Sequence, residues 1–192
     1  MANKDIKQAL IDSTIHTISS VGIDSATTKL LAFNADVNEV YIYRIFGGKD
    51  NLFAETFDYV DKDFSAALAK FLPIAYAQNK TVESRFRCLF KLVWQYTVND
   101  KEKCSFFIRY YYSRYYTNEL SKKRKDIYAN VLKIFDSIFV RGTDTWWLFN
   151  HILDIIFSSA VKVLRNEMQD NEKSQENIFN LLYPAIQQYL KN

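Results

Sequence analysis

The chain has 192 residues, and 48% of them are hydrophobic, which is enough for a packed core in one or two domains. Only four glycines and two prolines are present, so long helices are expected and a turn-rich β architecture is excluded. The formal net charge is +3, yet residues 1–52 carry five basic and six acidic side chains. This near-neutral segment argues against strong non-specific binding to nucleic acid, which depends on neutralising phosphates.

No run of about 18 uninterrupted apolar residues is present, so we expect no membrane partner. The first residues lack an apolar signal core, which favours a cytoplasmic location. The two cysteines, Cys88 and Cys104, are too few for a disulfide scaffold and lack metal-site spacing. Without a phosphate-cradling glycine loop or a nucleophile–base motif, the sequence predicts no enzyme, no catalytic residue, no cofactor and no metal site.

The first helix is predicted at residues 5–21, where apolar side chains recur every three or four positions. Gly22 is expected to end it, since glycine adopts positive φ without strain. Thr27 is then a suitable N-cap residue for a second helix.

Residues 27–49 predict a helix-turn-helix, with the turn at 34–36 and the third helix at 37–46. Val37 and Ile42 face inwards in this pattern, and the outward positions are Asn38, Glu39, Tyr41 and Arg44. The second helix of such a motif can enter a DNA major groove. An ordinary corner between two helices is the alternative interpretation.

A fourth helix is predicted at residues 49–72, stopped by Pro73. The remaining helices are predicted at residues 82–98, 103–116, 119–140, 144–168 and 172–190. The basic run at 122–125 is interpreted as a solvated face. The chain is therefore expected to be all-α with about nine helices, divided into a domain at 1–48 and a second domain at 49–192.

Residues about 6–53 resemble the N-terminal DNA-binding domain of the tetracycline-repressor (TetR) family of bacterial transcriptional regulators. The residues that carry the resemblance need no gap: Gly22, Thr27-Thr28-Lys29, Leu31-Ala32, Val37, Ile42-Tyr43, Phe46, Lys49 and Leu52. Asp36 stands where the family usually has glycine, and Asn38 and Val40 replace the family's usual small or hydroxyl-bearing residues. These departures bear on the operator sequence and on DNA affinity rather than on the fold.

The resemblance implies a role for each matched residue. Phosphate contacts would come from Thr27, Thr28, Lys29, Tyr43, Arg44 and Lys49. Base edges would be met by Asn38, Glu39 and Tyr41, since an amide can pair with adenine and a carboxylate can accept from cytosine N4. Packing under the helix is the alternative for Tyr43, and a purely solvated role is the alternative for Glu39.

The resemblance also implies a domain for dimerisation and for a small-molecule effector. The two apolar stripes of residues 144–168 suggest a surplus face for a homodimer. Its predicted interface is Leu148, Ile152, Ile155, Ser159, Val163, Ile178, Leu182 and Ile186.

Aromatic residues at 106–116 would surround a single helix, so some rings could line an effector pocket. The predicted lining is Trp94, Phe107, Tyr110, Tyr111 and His151. An anionic or a neutral aromatic effector is favoured because the stretch is basic. Packing of these rings in the core is the alternative.

Three hypotheses follow. The chain is a ligand-responsive dimeric repressor that binds a palindromic double-stranded operator, or a helical interaction module of the same fold that does not bind an operator. The third hypothesis, an enzyme, has little support, because His16 and His151 lie far apart in the sequence and no catalytic motif accompanies them.

Overall fold

The computed structural model describes residues 3–78 and 81–191, and these residues form ten α-helices and no β-strand. The helices are α1 (Asn3–Val21), α2 (Thr28–Asn34), α3 (Val40–Phe46), α4 (Lys49–Gln78), α5 (Val82–Asn99), α6 (Lys101–Tyr111), α7 (Asn118–Ile127), α8 (Ala129–Ile138), α9 (Thr145–Leu164) and α10 (Glu172–Gln187). The all-α prediction is confirmed. The tenth helix arises because the segment predicted as one helix at 119–140 forms two.

By packing, the chain divides into two compact units. Unit 1 comprises Met1–Lys62 and Glu102–Arg124, and unit 2 comprises Asp63–Lys101 and Lys125–Asn192. Helices α4 and α7 therefore each contribute residues to both units. The predicted boundary between residues 48 and 49 was meant to separate a DNA-binding domain from a domain for an effector and dimerisation. It does not coincide with the division by packing, and it remains a proposal.

The predicted end of α1 and the predicted start of α2 are confirmed. Gly22 has a backbone φ of 90°, and its N–H donates to the carbonyl of Ile18 at 3.1 Å. A Cβ atom at Gly22 would lie 3.0 Å from a guanidinium nitrogen of Arg109, which is the end of a flexible side chain, so the positive φ is the reason that glycine is favoured here. Thr27 caps α2, because its hydroxyl oxygen accepts from the N–H of Leu30 at 3.2 Å.

The turn between α2 and α3 is longer than predicted. Asp36 adopts the left-handed region, with φ 51°, as expected for a residue that replaces glycine. The N–H of Val37 donates to the carbonyl of Ala32 at 3.0 Å, which closes α2. Asn38 then accepts from the N–H of Val40 through its side-chain oxygen at 2.9 Å. The predicted start of the third helix at residue 37 was wrong, because Val37 closes the end of α2 and this side-chain bond of Asn38 satisfies a free N–H at the start of α3, which begins at Val40.

Helix α4 continues through Pro73, so the predicted stop at residue 72 was wrong. Proline inside a helix costs about 3 kcal/mol through a lost hydrogen bond and crowding of the preceding turn. Leu68, Leu72 and Ala75 are all buried on one face, on both sides of the proline. Burial of this apolar face offsets the local cost.

Helix α6 ends at Tyr111 instead of residue 116. The hydroxyl of Ser113 donates to the carbonyl of Tyr110 at 2.7 Å and accepts from the N–H of Tyr115 at 3.2 Å. These side-chain bonds compete with the helix and form a turn. Tyr115 and Tyr116 therefore lie outside α6, and the prediction that residues 106–116 form one helix was wrong.

Helices α7 and α8 are separated at Tyr128, whose ψ is 5°. This ring is fully buried in unit 2, with its centroid 5.0 Å from that of Phe149 and 6.3 Å from that of Phe64. The carbonyl of Ile127, at the break, accepts a hydrogen bond from the hydroxyl of Ser65 at 3.2 Å. The break therefore places a large ring in the core and leaves this backbone acceptor satisfied.

Helices α9 and α10 pack together in unit 2, and both also pack against α5. Helix α9 ends at Leu164, before the predicted residue 168, because Asn166 adopts a left-handed φ of 59°. Helix α10 ends at Gln187, before the predicted residue 190, and Leu190 forms an isolated bridge with Phe139.

Helix α9 is long and apolar enough to cross a membrane, with a mean hydropathy of 1.3 over an 18-residue window. The sequence-based expectation considered only uninterrupted apolar runs and did not identify this helix. Length and composition alone are weak evidence for a membrane span, since the core helix of a soluble protein has the same properties.

Candidate nucleic-acid interface

Helix α1 holds α2 in place through one buried and one partly buried polar contact in unit 1. The hydroxyl of Ser13 donates to the carbonyl of Leu31 at 2.7 Å. The amide of Asn34 donates to the hydroxyl of Thr17 at 2.9 Å. Because a hydrogen bond requires a defined direction as well as a distance, these contacts fix α2 against α1 more closely than apolar packing alone would.

Helix α3 has one buried and one exposed face. Ile42 is 0% exposed, as predicted for the inner side of the helix-turn-helix, and Phe46 is also buried. Val37, the other residue predicted to face inwards, is half-buried and lies in the turn before α3. Val40 is 64% exposed and Tyr43 is 58% exposed, and Arg44 is exposed beside them. Residues three and four apart share a helix face, so Val40, Tyr43 and Arg44 form one continuous outer surface.

The base-reading candidates differ in what their side chains already contact. The amide oxygen of Asn38 is bonded to the N–H of Val40, so the side chain turns towards its own backbone. Glu39 stands at the N-cap position of α3 but makes no side-chain cap hydrogen bond. Tyr41 is half-buried. These three residues lie within four positions of one another at the start of α3.

The phosphate candidates lie at three separate places in unit 1. Thr27 and Lys29 are exposed at the start of α2, where Thr28 is half-buried. Arg44 lies in the last turn of α3. Lys49 begins α4, and its ammonium nitrogen is 5.5 Å from the centroid of the Phe53 ring.

Two residues of unit 1 were missed or misinterpreted from sequence. Val40 was recognised as a departure from the family pattern that bears on DNA affinity but was not placed among the predicted DNA-binding residues, although its spacing of four from Arg44 places it on the outer face. Arg124, in the run interpreted as solvated, is fully buried. Its Nε atom lies 3.0 Å and 3.2 Å from the two carboxylate oxygens of Asp61, which is also buried. Its guanidinium lies 5.1 Å from the ring centroid of Phe107.

Three of the predicted effector residues lie in the packed interior of unit 1. Tyr110 is buried and stacks on Phe57, with 4.6 Å between ring centroids. Burial raises the pKa of its phenol, and its hydroxyl donates to the carbonyl of Tyr115 at 3.1 Å. Phe107 also stacks on Phe57, at 5.2 Å, and Tyr111 stacks on Phe107, at 6.0 Å. These rings pack against one another.

The other two predicted effector residues belong to unit 2. Trp94 is fully buried, and its indole N–H donates to the carboxylate of Asp170 at 2.8 Å. His151 is exposed and lies beside Trp147, with 4.1 Å between ring centroids. The five predicted residues are therefore divided between the units.

Unit 2 contains an apolar cavity of about 50 Å³. Its lining side chains are all hydrocarbon, from α4, α5, α8, α9 and α10: Leu68, Phe86, Leu89, Phe90, Val93, Phe135, Phe149, Ile152, Leu153, Ile156, Phe179, Leu182 and Ile186. None of the five predicted effector residues lines it. A cavity lined in this way offers no side-chain partner to an anionic ligand.

The predicted dimer residues fall into two groups. Five of them are buried in unit 2 of a single chain or line its cavity: Leu148, Ile152, Ile178, Leu182 and Ile186. Ile155, Ser159 and Val163 are half-buried. The exposed apolar side chains of the same helices are Trp147, 49% exposed, and Leu181, 66% exposed.

Within residues 3–78 and 81–191, no group of three or more His, Cys, Asp and Glu side chains is placed to hold a metal ion. Cys88, which is half-buried, and Cys104, which is buried, are not joined in a disulfide.

Comparison with known proteins supports the helix-turn-helix interpretation. A family model described as bacterial regulatory proteins, tetR family, matches residues 10–56. The matched segment contains α2, α3 and the turn between them, together with most of α1 and the start of α4. No curated protein matches the chain.

Several solved structures share the fold over nearly the whole chain. A TetR family transcription regulator from Marinobacter aquaeolei VT8 has a TM-score of 0.78 at 17% identity and covers 95% of each chain. A putative tetR family transcription regulator from Shewanella sp. PV-4 has a TM-score of 0.77 at 16% identity, covering 94% of this chain and 97% of that one. A TetR-family transcriptional regulator from Haemophilus influenzae Rd covers all of both chains with a TM-score of 0.70 at 17% identity.

At these identities the structural likeness establishes the fold, and the family model establishes the kind of N-terminal domain. The helix-turn-helix domain of this chain therefore belongs to the tetR family of bacterial regulatory proteins, and the chain has the fold of TetR-family transcription regulators.

Proposed function

We propose that the protein is a transcription regulator that binds a roughly palindromic DNA operator as a homodimer. The observation that carries this proposal is the outer face of α3. Val40, Tyr43 and Arg44 are exposed there, while Ile42 and Phe46 anchor the helix in the interior of unit 1. A helix held in this way can enter a major groove without losing its packing.

Phosphate contacts are assigned to residues with an available donor. The hydroxyl oxygen of Thr27 accepts from the backbone, which leaves its O–H to donate to a phosphate. Lys29, Arg44 and Lys49 supply charge, and Thr28 and Tyr43 supply further hydroxyl donors. Base contacts are assigned to the residues at the start of α3, Asn38, Glu39 and Tyr41.

Footprinting on the DNA upstream of the protein's own gene tests the DNA proposal. We expect a protected, roughly palindromic site, and we expect Tyr41→Ala and Lys49→Ala to weaken its protection. Lys122→Ala is a matched control, because Lys122 is exposed and lies outside the helix-turn-helix. Unchanged binding by both test variants would contradict the site assignments. Absence of any specific site would favour the alternative, an interaction module without operator binding.

The homodimer is proposed to form through the outward side chains of α9 and α10. Trp147 and Leu181 are large exposed apolar residues on this pair of helices, and Ile155 is half-buried. Four inward residues are removed from the predicted interface because they are buried in a single chain: Leu148, Ile178, Leu182 and Ile186. A twofold axis would place two α3 helices about 34–36 Å apart, one turn of B-DNA.

Sedimentation of Leu181→Glu tests this interface. The position is exposed in the single chain, so the variant is expected to fold and to sediment as a monomer. Val82→Glu, at an exposed valine at the start of α5, should remain a dimer. A dimeric Leu181→Glu protein would place the interface elsewhere.

An effector site is proposed at the apolar cavity of unit 2, in place of the predicted aromatic set. Dry cavities lined by Leu, Ile and Phe bind small apolar molecules such as benzene. The cavity's volume of about 50 Å³ is small, so a ligand would have to enlarge it. We therefore propose a neutral, apolar effector.

Calorimetric titration with benzene, compared between the wild type and Leu89→Trp, tests the effector site. Leu89 lines the cavity and is half-buried, so a larger side chain can occupy the space. We expect binding to be lost in the variant. Equal binding by both proteins would place the ligand elsewhere.

Repression is the proposed mode of regulation, since a dimer bound at an operator obstructs transcription. A cytoplasmic location is proposed for the same reason, because the DNA of a bacterial cell lies there.

A further inference from the structure

Val40 is an exposed apolar side chain on a surface that otherwise carries polar groups. It begins α3, is 64% exposed, and has no atom that can donate or accept a hydrogen bond. A single exposed apolar residue needs no explanation by itself. Here it shares the outer face of the helix-turn-helix with Tyr43 and Arg44, which is the face proposed to enter the major groove.

The C5-methyl group of thymine is the apolar group that distinguishes one base from the others in the major groove, where cytosine has only a hydrogen at C5. The other groups that distinguish the bases there are hydrogen-bond donors or acceptors, which an apolar side chain cannot satisfy. We infer that Val40 determines operator specificity by packing its methyl groups against a thymine methyl. This inference rests on the proposed function, because it concerns the DNA that α3 reads.

The backbone at Val40 is held in place by its neighbour. The amide oxygen of Asn38 accepts from the N–H of Val40 at 2.9 Å. A bidentate contact with adenine would require both the oxygen and the nitrogen of that amide. Because that oxygen is held by the N–H of Val40, Asn38 acts as a positioning residue for Val40, and its NH₂ group is the part of the amide left to contact a base.

The side chain at this position is also conformationally restricted. Two heavy atoms on the Cβ of valine leave one strongly preferred χ1 rotamer in a helix. The methyl groups therefore point in a defined direction before DNA is bound, and little side-chain freedom is lost on contact.

Glu39 constrains the neighbouring base. Its carboxylate makes no cap bond and can only accept hydrogen bonds when ionised. In the major groove it can pair with the amino group of cytosine or adenine, and it is repelled by the two acceptors of guanine. Val40 and Glu39 together specify a thymine close to a cytosine or an adenine in each half-site.

The test begins with selection of a binding site from random duplex DNA by the wild-type protein. Each thymine of the selected half-site is then replaced by deoxyuridine, which removes only the C5-methyl group. Loss of one buried methyl group is worth roughly a fourfold change in affinity. We expect one thymine per half-site to show this loss.

Variants identify the side chain that reads the methyl group. Val40→Ala should bind the thymine and deoxyuridine operators with equal affinity, and both more weakly than the wild type binds the thymine operator. Val21→Ala is the matched control, because Val21 is also an exposed valine, 49% exposed, at the end of α1. It should retain the full preference for thymine.

The inference is overturned if no deoxyuridine replacement weakens the wild-type complex, or if Val40→Ala keeps the preference for thymine. In both cases a selected operator would still support the proposed function. If no sequence is selected at all, the proposed function itself fails and the inference fails with it. Thermal unfolding of Val40→Ala separates a binding defect from a folding defect.

Discussion

The interior of unit 1 and the cavity region of unit 2 are built differently. Polar contacts cross the interior of unit 1, where Ser13 donates to a backbone carbonyl and Arg124 pairs with Asp61. The interior of unit 2 around its cavity is formed by hydrocarbon side chains. Directional contacts fix the relative positions of helices, whereas apolar packing around free space tolerates rearrangement. This difference fits the proposed roles, in which unit 1 holds α3 in place and unit 2 adapts to a ligand.

The free energy of unfolding should fall much more when the buried Asp61–Arg124 pair of unit 1 is truncated than when a neighbouring surface charge is truncated. We expect Arg124→Ala to lower the free energy of unfolding by about 3–5 kcal/mol, because it leaves the Asp61 carboxylate buried without its guanidinium partner. Urea unfolding followed by circular dichroism measures this change. Lys123→Ala, next in sequence but exposed, should cost less than about 1 kcal/mol.

Replacing both Asp61 and Arg124 separates the contribution of charge to stability from the contribution of packing. Asp61→Leu combined with Arg124→Met should recover most of the lost stability, since no charge then remains buried. Equal losses in Arg124→Ala and Lys123→Ala would show that the pair does not hold unit 1 together.

Enlarging one buried side chain in each unit tests the difference in packing. We expect Ala32→Val to destabilise the protein by about 1–3 kcal/mol, because Ala32 is buried in unit 1 next to the turn of the helix-turn-helix. Val93→Ile should change stability by less than about 1 kcal/mol, since the added methyl group can enter the cavity. Thermal unfolding of the two variants measures the contrast, and a larger penalty at Val93 would contradict it.

The sequence predicted the burial of Ile42, because it stands at helical spacing and matches the family pattern. The outer face of α3 was predicted only at Arg44, since the later start of the helix exposes Val40 and Tyr43 and leaves Glu39 and Tyr41 half-buried. It did not predict the buried state of Arg124, since three lysines surround it and its partner lies 63 positions away. Helix α9 is apolar on two sides, so the spacing of its apolar residues could not show which of its two apolar stripes faces the core of the single chain. The predicted dimer residues were consequently in large part interior ones.

A smaller effect on stability is expected from Asp58, which forms salt bridges with the exposed Lys62 and Lys123. Burial alone would raise the pKa of the Asp58 carboxyl, but hydrogen bonds from Lys62 and Lys123 lower it below its usual 3.8. A lowered folded-state pKa stabilises the protein above pH 3.8, and this contribution is lost as the pH falls through the folded-state value.

Comparison of wild type with Asp58→Asn measures this contribution, which should be less than about 1 kcal/mol for a partly exposed pair. The difference in unfolding free energy between the two proteins should be present near neutral pH and should shrink below about pH 4. A difference that grows on acidification would contradict the assigned direction of the pKa shift.

The salt dependence of operator binding tests most directly whether a nearly neutral helix-turn-helix domain reads DNA through a few placed groups. Lys29, Arg44 and Lys49 supply three cations per protomer, and hence six per dimer, so the logarithm of the binding constant should fall with the logarithm of salt concentration with a slope of about −5. We expect the operator to be bound at least about 10³-fold more tightly than a scrambled duplex at physiological salt. Equal affinity for both duplexes, at any salt concentration, would contradict sequence-specific DNA recognition by this protein.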